Sequence, residues 1–370
     1  MKFIINKSDI KNILAKVQGV AGRRTNLAIT ETVLITATDE GIRMMATDLE
    51  TGFEGSYSAA VESTGAIAIN AKKLFEIVKD FPREDVHVHE VENRWIKIGN
   101  DKIEYHIVGM NPEDYPDSPK LSDASFFEMD SQALRKMIEK SVIITGANDD
   151  RRSHINGVFF EKIEKEEGSF VLRMVSTDGS RLSTVDDPCD DEPPFAAEVL
   201  IPKKGLVEVL KFLDSEGSVQ VGLQESHFIV KKQSETVTIR LLEGDFPKYT
   251  DIVKNRGTDI LLDRKQFLGM LRRMSILSSD SYKGVVFNFA QNRLLVTASN
   301  PDIGESREEM PVDYDGEAIE AAFNPRFFID ALGAVEENMV RISIINAERP
   351  CMVEGEDDKS YLCVVMPMRI

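Results

Sequence analysis

The chain has 370 residues, 42% hydrophobic and 29% charged, with a formal net charge of −18. That length fits two or three globular domains, and no apolar run approaches the ~18 residues of a membrane-spanning helix. The opening MKFIINKSDIKNIL breaks its apolar residues too often for a secretory signal, and three distant cysteines (Cys189, Cys351, Cys363) without a CxxC pair argue against a disulfide framework or zinc site and fit a reducing cytoplasm.

From the N-terminus, the first element is an amphipathic helix over 8–18, with Ile10, Ile13, Leu14 and Val17 on one face. A strand ending in a small polar turn follows, IRMMATD at 42–48, and then a strand running into a second helix, AINAKKLFEIV at 68–78. Alternating runs at 86–91 (VHVHEV), 95–98 (WIKI) and 102–108 (KIEYHIV) predict half-buried antiparallel strands, and DYP closes the series at 114–116. The same order then returns. A helix over 132–142 carries Leu134, Met137 and Ile138, with Ser141 closing the pattern. VLRMVSTD (171–178), LIPKKGLVEVL (200–210, leading into a helix over 203–212), VQVGL (219–223), VTIRLL (237–242) and DFP (245–247) follow it. A third round holds a helix over 264–276 on Phe267, Met270, Leu271 and Met274, then RLLVTASN (293–300), then AAFNPRFFIDAL (321–332) leading into a helix over 325–335.

Leu74, Leu206 and Phe328 lie 132 and 122 residues apart; the turn motif recurs after 130 and 122, and DYP becomes DFP after 131. One shared period predicts three copies of one domain, 1–122, 123–252 and 253–370. Each copy is an α+β unit of two helices packed on antiparallel sheet. The acidic stretch DDPCDDEPP (186–194) reads as a solvated surface loop.

The six predicted helices carry 16 Lys and Arg against 5 Asp and Glu, a surplus of +11, which leaves −29 for the remainder. Such segregation predicts a helical surface facing a polyanion, with sheets and loops toward solvent. Lysine is also an ordinary exposed helix former, but a basic face repeated three times invites arrangement around an axis. A metal-dependent nucleic-acid enzyme is the alternative, with Asp48, Asp149, Asp150 and Asp178 as ligands. Against it, Asp48 and Asp178 are copies of one turn residue in different repeats. His87 and His89 share a strand face with no third ligand nearby in sequence. There is no GxxxxGK[ST] phosphate loop and no GxSxG turn. Cys351 and Cys363 fall in predicted strand, where cysteine acts as a small apolar residue. No catalytic residue, metal or cofactor is assigned.

MKF at the start, GRRTNL (22–27), ATDLE (46–50), INGVFFE (155–161), STDGSRL (176–182), EGDFPKY (243–249), YKGV (282–285) and the terminal YLCVVMPMRI (361–370) together carry a family resemblance. Over its whole length the chain resembles the beta subunits of bacterial DNA polymerase III, the replicative sliding clamps. The resemblance implies a cytoplasmic head-to-tail homodimer whose six domains close into a ring, with twelve helices facing double-stranded DNA. It implies no enzymatic activity, no membrane, and DNA held by topology without sequence preference. Its partners would be a replicative polymerase, a clamp loader and repair polymerases, docking through short peptide motifs.

Matched by position, the DNA-facing residues are Arg24, Asp149, Arg151 and Arg152; Asp149 stands where an amide is common, and Ser153-His154 where an aromatic pair is common. The implied dimer interface joins Ile103 and Ile107, on a strand alternating with Glu104 and His106, to Ile276 and Leu277 of the other subunit; the alternation suits an edge strand that pairs across a boundary. The implied peptide cleft lies between the second and third domains. Its C-terminal segment is Val364, Met366, Pro367, Met368, Arg369 and Ile370, surrounded by Ile155, Thr177, Gly179, Arg181, Leu182, Pro247, Ile252 and Tyr282. Methionines suit a surface that receives several peptides, Gly179 leaves room for a close backbone, and Arg181 offers hydrogen bonds at the rim. Ser180 replaces a common histidine and Asp251 a common arginine, which should alter peptide preference.

Overall fold

The computed structural model describes residues 1–22, 25–100, 102–119, 121, 124–144, 152–165, 168–189, 191–195, 198–277 and 284–369. Its six long helices fall where the apolar periodicity puts them: Lys7–Ala21, Ala71–Asp80, Ser131–Val142, Lys203–Phe212, Arg264–Met274 and Pro325–Ala334. Short polar residues at the preceding position start most of them. Side-chain oxygens of Asn6, Asn70, Asp130, Asp263 and Asn324 each accept a first-turn backbone N–H, at 2.7–3.1 Å. The fifth long helix stops at Met274, two residues short of the sequence expectation, and continues as a 3-10 turn over Ser275–Leu277. There the Ser275 hydroxyl donates to the Arg272 carbonyl at 2.8 Å, a local bond that competes with the helical ladder.

The chain forms two compact units, 1–135 with 193–196 and 201–241, and 136–192 with 197–200 and 242–370. The first contains a five-stranded sheet in the order Ala60–Ser63, Lys2–Asn6, Asp85–Glu90, Trp95–Gly99, Glu104–Val108. It also contains an eight-stranded sheet in the order Ser125–Asp130, Ser218–Gln224, His227–Lys232, Glu235–Arg240, Thr51–Tyr57, Gly41–Thr47, Thr32–Thr38, Gly65–Asn70. The second has an eight-stranded sheet in the order Glu198–Pro202, Gly157–Glu164, Phe170–Thr177, Arg181–Cys189, Tyr361–Val365, Cys351–Gly355, Met339–Ile344, Thr258–Asp263. Its four-stranded sheet runs Gly304–Pro311, Arg293–Asn300, Val285–Ala290, Ile319–Phe323. Every ladder whose register is described is antiparallel, and each eight-stranded sheet joins strands of two successive repeats through a single ladder, Thr51–Tyr57 with Glu235–Arg240 and Arg181–Cys189 with Tyr361–Val365.

The helices bury the faces their sequences mark, including Ile10, Ile13, Leu14 and Val17 in the first and Phe267, Met270, Leu271 and Met274 in the fifth. Phe267, Phe287, Phe323 and Phe328 meet edge-on or tilted, with ring centroids 5.1–6.3 Å apart. Cys351 and Cys363 are buried in adjacent strands, and burial pushes both thiols up, Cys363 to about 12. The expected loop at 186–194 is corrected in part. Asp186–Cys189 continue a strand paired with Phe170–Arg173, and Asp186 chelates the Arg173 guanidinium at 2.5 and 2.7 Å. A cross-strand cation makes that acidic residue structural.

Glu354, 2% exposed, accepts from both terminal nitrogens of the Arg256 guanidinium at 2.7 and 2.8 Å and from Lys359 at 2.9 Å. Burial pushes its carboxyl up, but these cations hold it net below the usual carboxylate range. A depressed folded value adds stability above the unfolded-state pKa, lost as pH falls through the folded one. Glu354→Gln should therefore cost about 2 kcal/mol at neutral pH. In denaturant melts the gap to wild type should close as pH drops below about 4.

Candidate peptide-docking site and assembly surfaces

The site begins at the turn between Phe170–Thr177 and Arg181–Cys189. The Asp178 carboxylate accepts the backbone N–H of Ser180 (2.9 Å) and of Arg181 (3.0 Å), and the Thr177 hydroxyl donates to the Arg181 carbonyl at 2.7 Å. Gly179 sits at φ +89°, with open space where a Cβ would point. That combination holds a tight turn and leaves its outer side clear. The first repeat builds the same turn: Asp48 accepts from Glu50 and Thr51 at 3.0 and 2.6 Å, with Leu49 at φ +75°. Asn300 accepts from Asp302 at 3.0 Å in the third. The carboxylates of Asp48 and Asp178 thus each brace the turn of their own repeat; Asp149 and Asp150 lie outside the described residues. Among the described residues, no group of three or more His, Cys, Asp or Glu is placed to hold a metal ion.

Beside the turn lies a floor of Val175, Leu182, Tyr249, Met352, Leu362 and Val364, against which Phe159, Phe246 and Val253 pack. Phe246 stacks on Phe159 at 5.0 Å and meets Tyr249 and His154 edge-on. The Tyr249 hydroxyl donates to Glu161 and accepts from Arg173 at 3.2 Å, which anchors this wall to the sheet. Burial pushes the Glu161 carboxyl above its ordinary range, against the opposing pull of Tyr249 and Arg173. The C-terminal segment is fixed at two points. Met366 N–H donates to the Ser180 carbonyl at 2.9 Å, and Met368 N–H to the Ala322 carbonyl at 2.7 Å. Val364 is buried beneath, while Met366 is exposed, as are Pro247 and Ile252 on either side of Tyr249.

The structure corrects one role. Arg181 is not a rim donor but is 7% exposed, with its Nε on Asp178 at 3.0 Å, a terminal nitrogen on Asp330 at 2.6 Å, and its guanidinium over the Phe327 ring. Two carboxylates and an aromatic face hold it inward, so it braces the turn. Ile155, Thr177 and Leu182 are likewise buried supports. Tyr282 and Ile370 lie outside the described residues, as do Arg24, Asp149 and Arg151; Arg152 is exposed.

Three family models match the chain in order: DNA polymerase III beta subunit, N-terminal domain, over residues 1–119; central domain over 128–248; and C-terminal domain over 252–369. A beta sliding clamp of Vibrio cholerae is 30% identical, with all of both chains covered. The chain belongs to the DNA polymerase III beta subunit family. The Chlamydia pneumoniae beta sliding clamp is 27% identical over all of this chain and 99% of its own. The crystal structure of the DNA polymerase III subunit beta from Pseudomonas aeruginosa, 27% identical, superposes with a TM-score of 0.91 and full coverage of both chains.

Lys11, Lys72, Lys79, Lys265, Arg272 and Arg326 are exposed. Several other basic helix residues are committed elsewhere, Lys16 to Glu235, Lys73 to Glu76, Lys211 to Glu208 and Arg273 to Glu308. Arg264 donates to the carbonyls of Glu337 and Leu332. The free positive surface is therefore smaller than the count of +11 suggests. Glu104–Val108 and Gly304–Pro311 are outermost strands of their sheets. Ile103 and Ile107 are half-buried beside the first edge, Leu277 is half-buried, and Ile276 is 74% exposed.

Sequence reasoning missed Phe246, Tyr249 and Met352 in the floor and Tyr105, Val108 and Ile303 among the exposed apolar residues near the edges. Phe246 and Tyr249 stood inside the quoted EGDFPKY motif, and their spacing was the available signal. Ile303 carried none, because its exposure depends on a turn whose shape the sequence does not specify.

Proposed function

We propose that this chain is a DNA sliding clamp, a processivity factor with no active site of its own, built from three domains over 1–122, 123–252 and 253–370. Two copies join head to tail into a ring around duplex DNA in the cytoplasm. The exposed helix cations, with Arg24, Asp149, Arg151 and Arg152, form its DNA-facing side. Ile103 and Ile107 meet Ile276 and Leu277 where copies join.

The observation that carries this reading is the paired ladder repeated inside the chain. Each eight-stranded sheet continues from one repeat into the next, while Glu104–Val108 of the first repeat and Gly304–Pro311 of the third are among the strands that remain outermost in their sheets. A heterologous contact of this kind closes into a ring when its rotation permits. Backbone charge neutralisation supplies a weak, salt-sensitive attraction to DNA, and the closed ring prevents escape.

The replicative polymerase, the clamp loader and repair polymerases would dock through short peptides over the Val175–Leu182–Tyr249–Val364 floor, beside Met366, Pro367, Met368 and Arg369. Full matches to named beta sliding clamps support this reading. Light scattering after size exclusion should give a mass near twice 41.5 kDa; a monomer at micromolar concentration would contradict the ring.

A further inference from the structure

The first unit holds a second cleft, built on the same backbone plan as the docking site but with different chemistry. In the second unit the Met366 N–H bonds the Ser180 carbonyl at 2.9 Å, two residues beyond Val364, which lies opposite Leu182. In the first unit the Arg240 N–H bonds the Glu50 carbonyl at 2.7 Å, two residues beyond Thr238, which lies opposite Gly52. Leu49 takes the left-handed place of Gly179, and Pro116 of DYP that of Pro247 of DFP. Gly52, Thr238 and Arg240 therefore stand where the apolar floor has Leu182, Val364 and Met366.

A cavity of about 220 Å³ remains open there, and three polar groups line it. Thr238 is only 9% exposed, and its hydroxyl has no hydrogen-bond partner among the described residues. A Cβ on residue 52 would come within 2.6 Å of that hydroxyl, so glycine keeps it accessible. The Arg240 side chain is exposed and has no ion-pair partner among the described residues. His227 is half-buried and lies directly opposite Arg240 across the ladder, with neutral Gln224 opposite it on the other side. Burial holds the imidazole below its ordinary value and Arg240 adds to that, while Glu225 opposes both. Like charges facing across strands repel, and an anion seated between guanidinium and imidazole relieves that repulsion.

Glu50 and Asp117 also line the cavity and are exposed. Their charges disfavour a polyanion and leave room for one small anion. A carboxylate suits, because it accepts two parallel bonds from a guanidinium. We infer that the cleft between the first and second repeats is a second docking site, which takes a single carboxylate carried by an acidic peptide. Arg240 is its ion-pair partner, and Thr238 and protonated His227 donate hydrogen bonds to it. The peptide nature of the ligand rests on the docking role proposed for the apolar cleft; the carboxylate chemistry stands on the first unit alone.

The test is proton NMR of the histidine rings, of which the chain has five, during titration with a blocked peptide holding one glutamate between alanines. The His227 resonance, identified with His227→Gln, should shift, and its titration midpoint should rise when the peptide binds. By linkage, affinity should be about tenfold higher at pH 6 than at pH 8, because protonated His227 adds a second cation. Arg240→Gln should weaken binding at least about tenfold with an unchanged circular dichroism spectrum, and so should glutamine in place of the peptide's glutamate. An excess of peptide carrying glutamine, leucine and phenylalanine should not displace the acidic one. An unmoved His227 midpoint, undiminished binding to Arg240→Gln, or displacement by the apolar peptide would overturn the inference. If the apolar peptide binds and the acidic one does not, only this second site is wrong; if neither binds, the docking role proposed for the apolar cleft is wrong as well.

Discussion

Replacing Ile276 and Leu277 together with aspartate should turn the dimer into a folded monomer that no longer encloses DNA. Ile276 is 74% exposed and follows the helix Arg264–Met274 on a 3-10 turn, so it contributes little to its own core. Such an exposed aliphatic beside a free sheet edge is the kind of anchor that dominates an interface. A ring of two copies uses it twice. Burying two carboxylates at each junction without partners should raise the dissociation constant about a thousandfold or more. The Leu277 carbonyl accepts from Asn300 at 2.9 Å, and this backbone bond survives the substitution. Sedimentation should show a monomer with an unchanged circular dichroism spectrum. Dimers persisting at nanomolar concentration would place the junction elsewhere.

Deleting Met366 through Ile370 should leave the dimer intact and abolish peptide docking. The deletion removes the exposed Met366 and two backbone hydrogen bonds, to Ser180 and Ala322, while the floor from Val175 to Val364 remains. Those two bonds contribute about 1–3 kcal/mol of local stability, too little to unfold the unit. Fluorescence anisotropy with a short peptide carrying glutamine followed by leucine and phenylalanine should report at least about a hundredfold weaker binding. Met366→Glu, which keeps the backbone bonds, should lose most of the same affinity because it puts a charge on the apolar floor. Undiminished affinity in both variants would mean that the peptide binds at another surface.

Much of this was legible in the sequence because the signals were local. Ile10, Ile13, Leu14 and Val17 announce a helix by spacing, Asn70 and Asn324 announce its start by their capping chemistry, and the turn residues Asp48, Asp178 and Asn300 repeat at one period. What stayed hidden depends on partners remote in sequence. Arg181 reads as a rim donor until Asp330, 149 residues away, holds it inward. Lys16 counts as free charge until Glu235, 219 residues away, neutralises it. Asp186 looks like part of a solvated acidic loop until Arg173 pairs with it across the strand. The docking floor was half visible, since Val364 and Leu182 came from motifs while Met352 came only from strand pairing.

The central claim is that DNA is held by enclosure. The protein should be loaded onto a nicked circular duplex by a bacterial clamp loader, passed over a sizing column at high salt, and measured again after the circle is cut once. Direct attraction is weak for a chain of net charge −18 and weaker still as salt screens it. Retention on the circle and complete loss after linearisation is the result expected. Retention unchanged by the cut would show that contact rather than topology holds the DNA, and the ring would be wrong.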